Sequence, residues 1–181
     1  MRSRCRTPQG EALREILRAR RTKALRMTEG RAEMPRPSWD QYYMDIARAV
    51  ATRSNCLRRN VGALIVVEKA IIATGYNGTP IGVQNCSEGG CPRCASDAPP
   101  GAGYDTCVCV HAEQNAIALA ARHGNATSGG TLYTTLRPCF GCAKEAVQAG
   151  LRELVFAEPY AYPPDLEQVY QRLIAQSGLT A

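Results

Sequence analysis

Residues 111–142 read HAEQNAIALAARHGNATSGGTLYTTLRPCFGC, and this stretch decides the fold. It opens on His111-Ala112-Glu113, and its end, Pro138-Cys139-Phe140-Gly141-Cys142, follows the extended run Thr131–Leu136. The pattern predicts a helix over His111–His123, a strand over Thr131–Leu136 and a helix over Cys139–Ala149. Both helices begin on metal-ligating residue types directly after extended chain. Outward from this unit, Glu153–Ala157 reads as a strand and Asp165–Gln176 as a last helix. Upstream, Val61–Val67 and Ala70–Tyr76 are Val- and Ile-rich strands joined by a short turn at Glu68–Lys69. Asn77-Gly78-Thr79-Pro80 ends the second of them in a loop. Ser38 is placed to cap a helix from Trp39 to about Thr52, with Asp40 in its first turn and Trp39, Tyr42, Tyr43, Ile46 and Val50 on an apolar face. The resulting β-β-α-β-α-β-α order predicts an α/β three-layer sandwich, a mixed central sheet with helices on both faces.

The chemistry follows from the two helix entrances. One imidazole (His111) and two thiolates (Cys139, Cys142) supply three protein ligands for zinc and leave a fourth tetrahedral position for water. Cysteines three apart at a helix start can face one metal, and the amide dipoles there favour the thiolate. Pro138 suits a helix entrance, where its missing N–H costs little. Zinc lowers the pKa of bound water to about 7. Glu113, two residues beyond His111, reaches that water without ligating the metal and is the candidate catalytic acid–base. An H-x-E followed by P-C-x-x-C is the signature of zinc-dependent deaminases. A purely structural zinc site, with Glu113 a surface residue, is the competing reading.

Composition sets the outer limits. A chain of 181 residues, 45% apolar and 21% charged, matches one globular domain. It has no run of about 20 apolar residues for a membrane span and no secretory h-region at its start, so a cytoplasmic location is expected. The net charge of +6 is unevenly placed. Residues 1–36 hold 11 Lys/Arg against 4 Asp/Glu, whereas the remainder holds 11 against 12. The chain therefore reads as a basic extension over 1–35, helical over Glu11–Arg26 or disordered, and a near-neutral deaminase-type domain over 36–181. A groove for long nucleic acid shows as a basic patch in the domain itself, so the balance argues for a small substrate and against nucleic acid or membrane as partner.

Further motifs carry a more specific resemblance. They are Arg-Pro-Ser-Trp-Asp-Gln-Tyr-Tyr-Met (36–44), Arg-Ser-Asn-Cys (53–56), Val-Gly-Ala (61–63), Thr-Gly-Tyr-Asn-Gly-Thr-Pro (74–80), Asn-Cys with Gly-Gly-Cys-Pro-Arg-Cys (85–94) and Thr-Cys-Val-Cys-Val-His-Ala-Glu-Gln-Asn-Ala-Ile (106–117). Together with Pro-Cys-Phe-Gly-Cys, from about Arg36 to Tyr160, the chain resembles the deoxycytidylate (dCMP) deaminase family, particularly its yeast-type members. The resemblance implies a cytidine deaminase-like fold and hydrolysis of dCMP to dUMP, which feeds thymidylate synthesis. It implies nucleotide contacts from Asn77, from the backbone at Ala112, and from Tyr160 and Arg58 or Asn60 near the 5′-phosphate. For Asn77 the alternative is a left-handed turn residue before Gly78. It further implies a homo-oligomer, a hexamer in many members, with dCTP and dTTP as effectors held near Gly75–Pro80 and Mg2+ accompanying a bound nucleotide effector.

Nine cysteines exceed what one zinc site needs. Family members often carry a second, structural Zn2+, and matching positions suggest Cys56, Cys86, Cys91 and Cys107. Spacing alone favours Cys91 and Cys94 with Cys107 and Cys109. A second zinc would pin the Gly/Pro/Cys-rich stretch Ile81–Cys109, which has no periodicity of its own. Cys5 has no assigned role, and His123 reads as a surface residue at a helix C-terminus. The family's sheet has a fifth strand after the last helix, yet only Gly178-Leu179-Thr180-Ala181 remains here. A short or missing fifth strand is therefore expected. The other functions weighed are a tRNA, free-base or pterin-like deaminase, and a catalytically silent zinc module that binds nucleotides.

Overall fold

The computed structural model describes residues 35–99 and 102–181. The helix expected over Glu11–Arg26 and Cys5 lie outside them, and the domain proper runs from Ser38 to Ala181. Helix α1 spans Trp39–Ala51, and Ser38 caps it by accepting the Gln41 N–H at 3.2 Å. Strands β1 (Gly62–Val67) and β2 (Ala70–Tyr76) form an antiparallel hairpin. Its two-residue turn, Glu68 and Lys69, has φ values of 49° and 66°. This is left-handed backbone, which matches the twist of the strands but is usually left to Asn or Gly. The turn is held from outside: the Tyr43 hydroxyl donates to the Lys69 carbonyl at 2.9 Å, and the Lys69 ammonium lies over the Trp39 ring.

Helix α2 (Ala112–Arg122), β3 (Thr131–Leu136), α3 (Phe140–Gln148), β4 (Glu153–Glu158) and α4 (Pro164–Ser177) complete the domain. The sheet order is β2-β1-β3-β4, with β3 antiparallel to β1 and parallel to β4. Alternation along the strands divides the core in two. Leu64, Val66 and Tyr133 pack with Tyr43, Met44 and Ala47 of α1 on one face. Ala63, Ile65, Leu132 and Leu154 pack with Ala112, Ala116, Ala120 and Ala146 of α2 and α3 on the other. The expected three layers are therefore present, and β1, β3 and β4 each contribute to both faces.

The expected short fifth strand is one residue long. Thr180 bridges Glu153 in parallel, its N–H donating to the Arg152 carbonyl at 3.0 Å and its own carbonyl accepting the Leu154 N–H at 2.7 Å. Buried Leu179 anchors this last rung in the core. Two glycines set how closely the layers approach. A Cβ on Gly62 would lie 2.1 Å from the Ala47 carbonyl oxygen of α1, and one on Gly75 would lie 2.1 Å from that of Ala112 in α2. Between β2 and α2, the 81–109 stretch contains two single 3₁₀ turns and a one-turn helix at Pro92–Ala95 that the sequence reading did not resolve. Among the described residues, no helix is long and apolar enough to cross a membrane.

Candidate active site

The parallel β3–α3–β4 unit and the helix preceding it bring the two motifs to one point. His111 is the N-cap of α2 and Cys139 the N-cap of α3, so both residues sit at helix entrances. Pro138 is fully buried behind Cys139. The His111 Nδ1 lies 3.4 Å from the Sγ of Cys139 and 3.4 Å from that of Cys142, and the two sulfurs are 3.5 Å apart. Donors bonded to one tetrahedral zinc at about 2.0–2.3 Å stand roughly 3.5 Å from one another, so this donor set fits the ion. Among the described residues the group has three members and no fourth His, Cys, Asp or Glu. The purely structural zinc reading, which needs a fourth protein ligand, does not suit this arrangement.

The same contacts shape the electrostatics. Contact with Cys142 and His111 lowers the Cys139 thiol to about 4, and contact with Cys139 raises the His111 imidazole. Gln114 fixes the relative position of the two ligand-bearing helices. Its Oε1 accepts the His111 backbone N–H at 3.0 Å, and its Nε2 donates to Glu145 of α3 at 2.8 Å. Glu113 is 4% exposed, and burial pushes its carboxyl up to about 7. A carboxyl that titrates near neutrality can both accept and release a proton under working conditions.

His111, Ala112, Glu113 and Cys139 line a cavity of about 310 Å³. Arg58, Arg59, Arg93 and Arg137 line it as well. The cavity thus joins a buried carboxyl and two of the three metal donors, His111 and Cys139, to a strongly cationic wall. Arg137 is held rigidly: its guanidinium makes paired bonds to the Glu167 carboxylate at 2.8 and 3.0 Å, donates to the Tyr160 carbonyl at 2.7 Å and stacks 4.1 Å over Tyr170. Glu167 is correspondingly held down at about 2 by this guanidinium.

The residues expected to contact substrate divide. Ala112, Tyr160 and Arg58 line the cavity, and Asn60 is exposed and does not. Asn77 lines it too, but its side-chain amide is committed to the chain. Its Oδ1 accepts from the Val61 N–H and the Ser54 hydroxyl, and its Nδ2 donates to the Arg59 carbonyl, each at 2.7 Å. Asn77 lacks the positive φ of a left-handed turn residue, so its place before Gly78 is not what selects it. It ties the end of β2 to the segment carrying Arg58 and Arg59. Sequence reasoning missed Tyr104, Arg93 and Arg137. Arg137 adjoins the Pro-Cys entrance, but its orientation is set by Glu167, Tyr160 and Tyr170, which are distant in sequence.

The extra cysteines correct one expectation. Cys56, Cys86, Cys91 and Cys107 do not meet as one set of four. Cys56 and Cys86 converge with Cys94 and Cys109, whereas Cys91, Cys94, Cys107 and Cys109 converge as spacing predicted. The one-turn helix at Pro92–Ala95 is the reason: it turns Cys94 inward and buries it, which no sequence period announced.

Residues 37–158 match the family described as cytidine and deoxycytidylate deaminase zinc-binding region. The chain is 47% identical over 125 residues to a deoxycytidylate deaminase of Schizosaccharomyces pombe, covering 69% of this chain and 38% of that protein. It is 41% identical over 149 residues to the deoxycytidylate deaminase of Saccharomyces cerevisiae, covering 82% and 46%. The chain therefore spans less than half the length of these two relatives. Among solved structures it resembles the dCMP deaminase of cyanophage S-TIM5 in complex with dCMP and dUMP, with a TM-score of 0.62 and 29% identity over 81% of this chain and 97% of that one.

Proposed function

The chain belongs to the cytidine and deoxycytidylate deaminase zinc-binding family, and from that premise we propose that it converts dCMP and water to dUMP and ammonia. One observation carries the reading: three metal donors, with no fourth among the described residues, stand beside a buried carboxyl, and His111, Cys139 and Glu113 open onto a cavity lined by arginines. Zinc held by His111, Cys139 and Cys142 supplies a Lewis acid that brings the pKa of water to about 7. Glu113 handles the protons. Its carboxylate takes one from the attacking water and delivers it to the ring nitrogen, then takes the second from the added hydroxyl and passes it to the amino group, so that the C–N bond breaks, the carbonyl forms and ammonia leaves. The amide dipoles at the start of α3 favour the anionic form of Cys139 and Cys142.

The cationic wall supports a nucleotide over a nucleoside or free base. A 5′-phosphate is dianionic, and guanidinium groups match it with paired donors. Arg58 and Arg59, Arg93 and the locked Arg137 surround the space such a group would enter. Tyr160 and the backbone at Ala112 complete the proposed substrate contacts, and Asn77 acts by positioning the Arg59 segment. Measured ammonia release from dCMP, dCTP, cytidine, guanine and a tRNA anticodon stem tests the assignment. Release from dCMP at least tenfold faster than from cytidine is expected; equal rates would remove the phosphate from recognition, and activity on guanine or RNA alone would overturn the reading.

Three finer proposals accompany it. Eight free cysteines among the described residues suit a reducing, cytoplasmic compartment. A homo-oligomer, up to a hexamer, is supported by apolar side chains exposed on and beyond the β2 edge, namely Ile71, Tyr76 and Ile81. By resemblance, dCTP with Mg2+ and dTTP are proposed as effectors acting near Gly75–Pro80. A metal ion in the extra cysteines, beyond the catalytic zinc, belongs to the same reading.

A further inference from the structure

Six cysteines outside the catalytic group come from four separate places in the chain. They are Cys56 after α1, Cys86 in a 3₁₀ turn, Cys91 and Cys94 around the one-turn helix, and Cys107 and Cys109 in the run that enters α2. Their sulfurs form two groups of four, each with all members within 4.8 Å of one another. One is Cys56, Cys86, Cys94 and Cys109; the other is Cys91, Cys94, Cys107 and Cys109. Cys94 and Cys109 belong to both. From this shared edge we infer that the segment holds a two-metal, six-thiolate cluster of zinc-type divalent ions, with Cys94 and Cys109 bridging the pair. The inference is independent of the proposed deaminase activity and goes beyond a single structural zinc.

The distances have the right size. A tetrahedral ion with metal–sulfur bonds of about 2.3 Å sets its sulfurs about 3.8 Å apart. Cys94 lies 3.8 Å from Cys56, 3.8 Å from Cys107 and 3.9 Å from Cys109, and Cys91 lies 3.9 Å from Cys107. Cys94 therefore touches one terminal sulfur of each group as well as its bridging partner. A single ion would satisfy four of the six sulfurs and leave two unused, one of them fully buried in either case. Cys86 and Cys91, which are 0% exposed and belong to different groups, could not both be used.

The surroundings match a negatively charged cluster. Six thiolates against two divalent ions leave an excess of two negative charges. Two guanidiniums flank it: Arg58 donates to the Cys94 carbonyl at 3.1 Å and to the Ser96 carbonyl, and Arg93 donates to the Ala102 carbonyl at 2.9 and 3.1 Å. The backbone N–H of Val108 donates to the Cys91 sulfur at 3.3 Å. Such N–H···S bonds orient and stabilise metal-bound thiolates. Cys56, Cys94, Cys107 and Cys109 also form part of the cavity wall, so the cluster would fix the floor on which Arg58 and Arg93 stand.

Metal counting on the full chain tests this. Purified under reducing conditions, it should contain three zinc ions per chain, and the Cys139→Ser/Cys142→Ser chain should contain two. Replacing zinc with cadmium-113 in the wild-type chain should give two all-thiolate resonances split by coupling through the shared sulfurs. Cys94→Ser should lower the count from three towards one. Two ions in the wild-type chain, with one uncoupled cluster resonance, would overturn the inference, and so would a single ion. The cadmium measurement needs no substitution, so misfolding of a variant cannot shield the inference. Loss of ammonia release with three ions present would count against the proposed reaction and leave the cluster standing.

Discussion

The cavity has two sulfur-bearing walls, and they are built in opposite ways. His111, Cys139 and Cys142 stand at the entrances of helices that a four-stranded sheet already holds in place. Each ligand's backbone is fixed by hydrogen bonds that owe nothing to a metal, including the Gln114 link between α2 and α3. The six-cysteine wall has no such frame. Between Ile81 and Cys109 its described regular structure is two single 3₁₀ turns and one helical turn, and its buried side chains are mostly the cysteines themselves. In the first wall the fold places the donors for the ion. In the second the ions would do the folding, because the apolar burial that could replace them is missing. A shared ligand chemistry thus serves reactivity in one wall and architecture in the other.

The largest effect expected separates reactivity from structure. Glu113→Gln should reduce turnover of dCMP by roughly 10²–10⁴-fold, the usual scale for a positioned acid–base, while bound zinc and melting temperature stay unchanged. Steady-state kinetics with metal analysis on the same preparation checks this. A variant that loses zinc in step with activity would make Glu113 a structural member of the site and erase the contrast.

Chelation should come next in size. Stripping metal from the whole chain should raise amide exchange across residues 81–109 by several orders of magnitude, while β1, β3 and α1 keep their protection. Residues at the heads of α2 and α3 should change much less than the cysteine segment. Equal deprotection of both walls would mean that the catalytic donors also depend on their ion for placement.

The smallest test concerns the side of the cavity that uses no sulfur. Arg137 holds the Glu167 carboxyl well below its ordinary value, at about 2. A carboxyl depressed on folding adds stability above its unfolded pKa of about 4.3 and loses it as pH falls through the folded value. The melting-temperature difference between wild type and Glu167→Gln should therefore be constant near neutrality, shrink below pH about 4 and vanish near pH 2. A difference that persists in acid would assign the effect to packing against Tyr170 instead of to the ion pair.

How much of this could be read in advance follows the same division. The hairpin, the ligand-bearing helices and the three metal donors were legible because each depends on neighbours in sequence: alternation in the strands, Ser38 and Pro138 at helix entrances, donors three apart. The single-rung fifth strand was foreseen as short because only four residues remained after α4. What failed needed contacts between distant segments. Cys94 becomes the hub of two groups only because a one-turn helix rotates it towards Cys56, 38 residues earlier. Asn77 looked like a turn residue or a substrate ligand, yet its partners at Ser54, Arg59 and Val61 make it a fastener. Arg137 gained its place from Glu167 and Tyr170, on a helix whose own pattern says nothing about a cavity.

Gly75 has the widest reach for anyone wishing to reshape this pocket. It contributes no atom to the chamber, yet the hydrogen that stands in place of its side chain lets α2 rest directly against β2. The depth at which Glu113 sits is thus set from behind, by a methyl group that is absent. Redesign confined to the lining would inherit that depth unchanged, whereas the plainest substitution on the far side of the helix, to alanine, would press on the Ala112 and Ala116 backbone and move the Glu113 carboxyl with it.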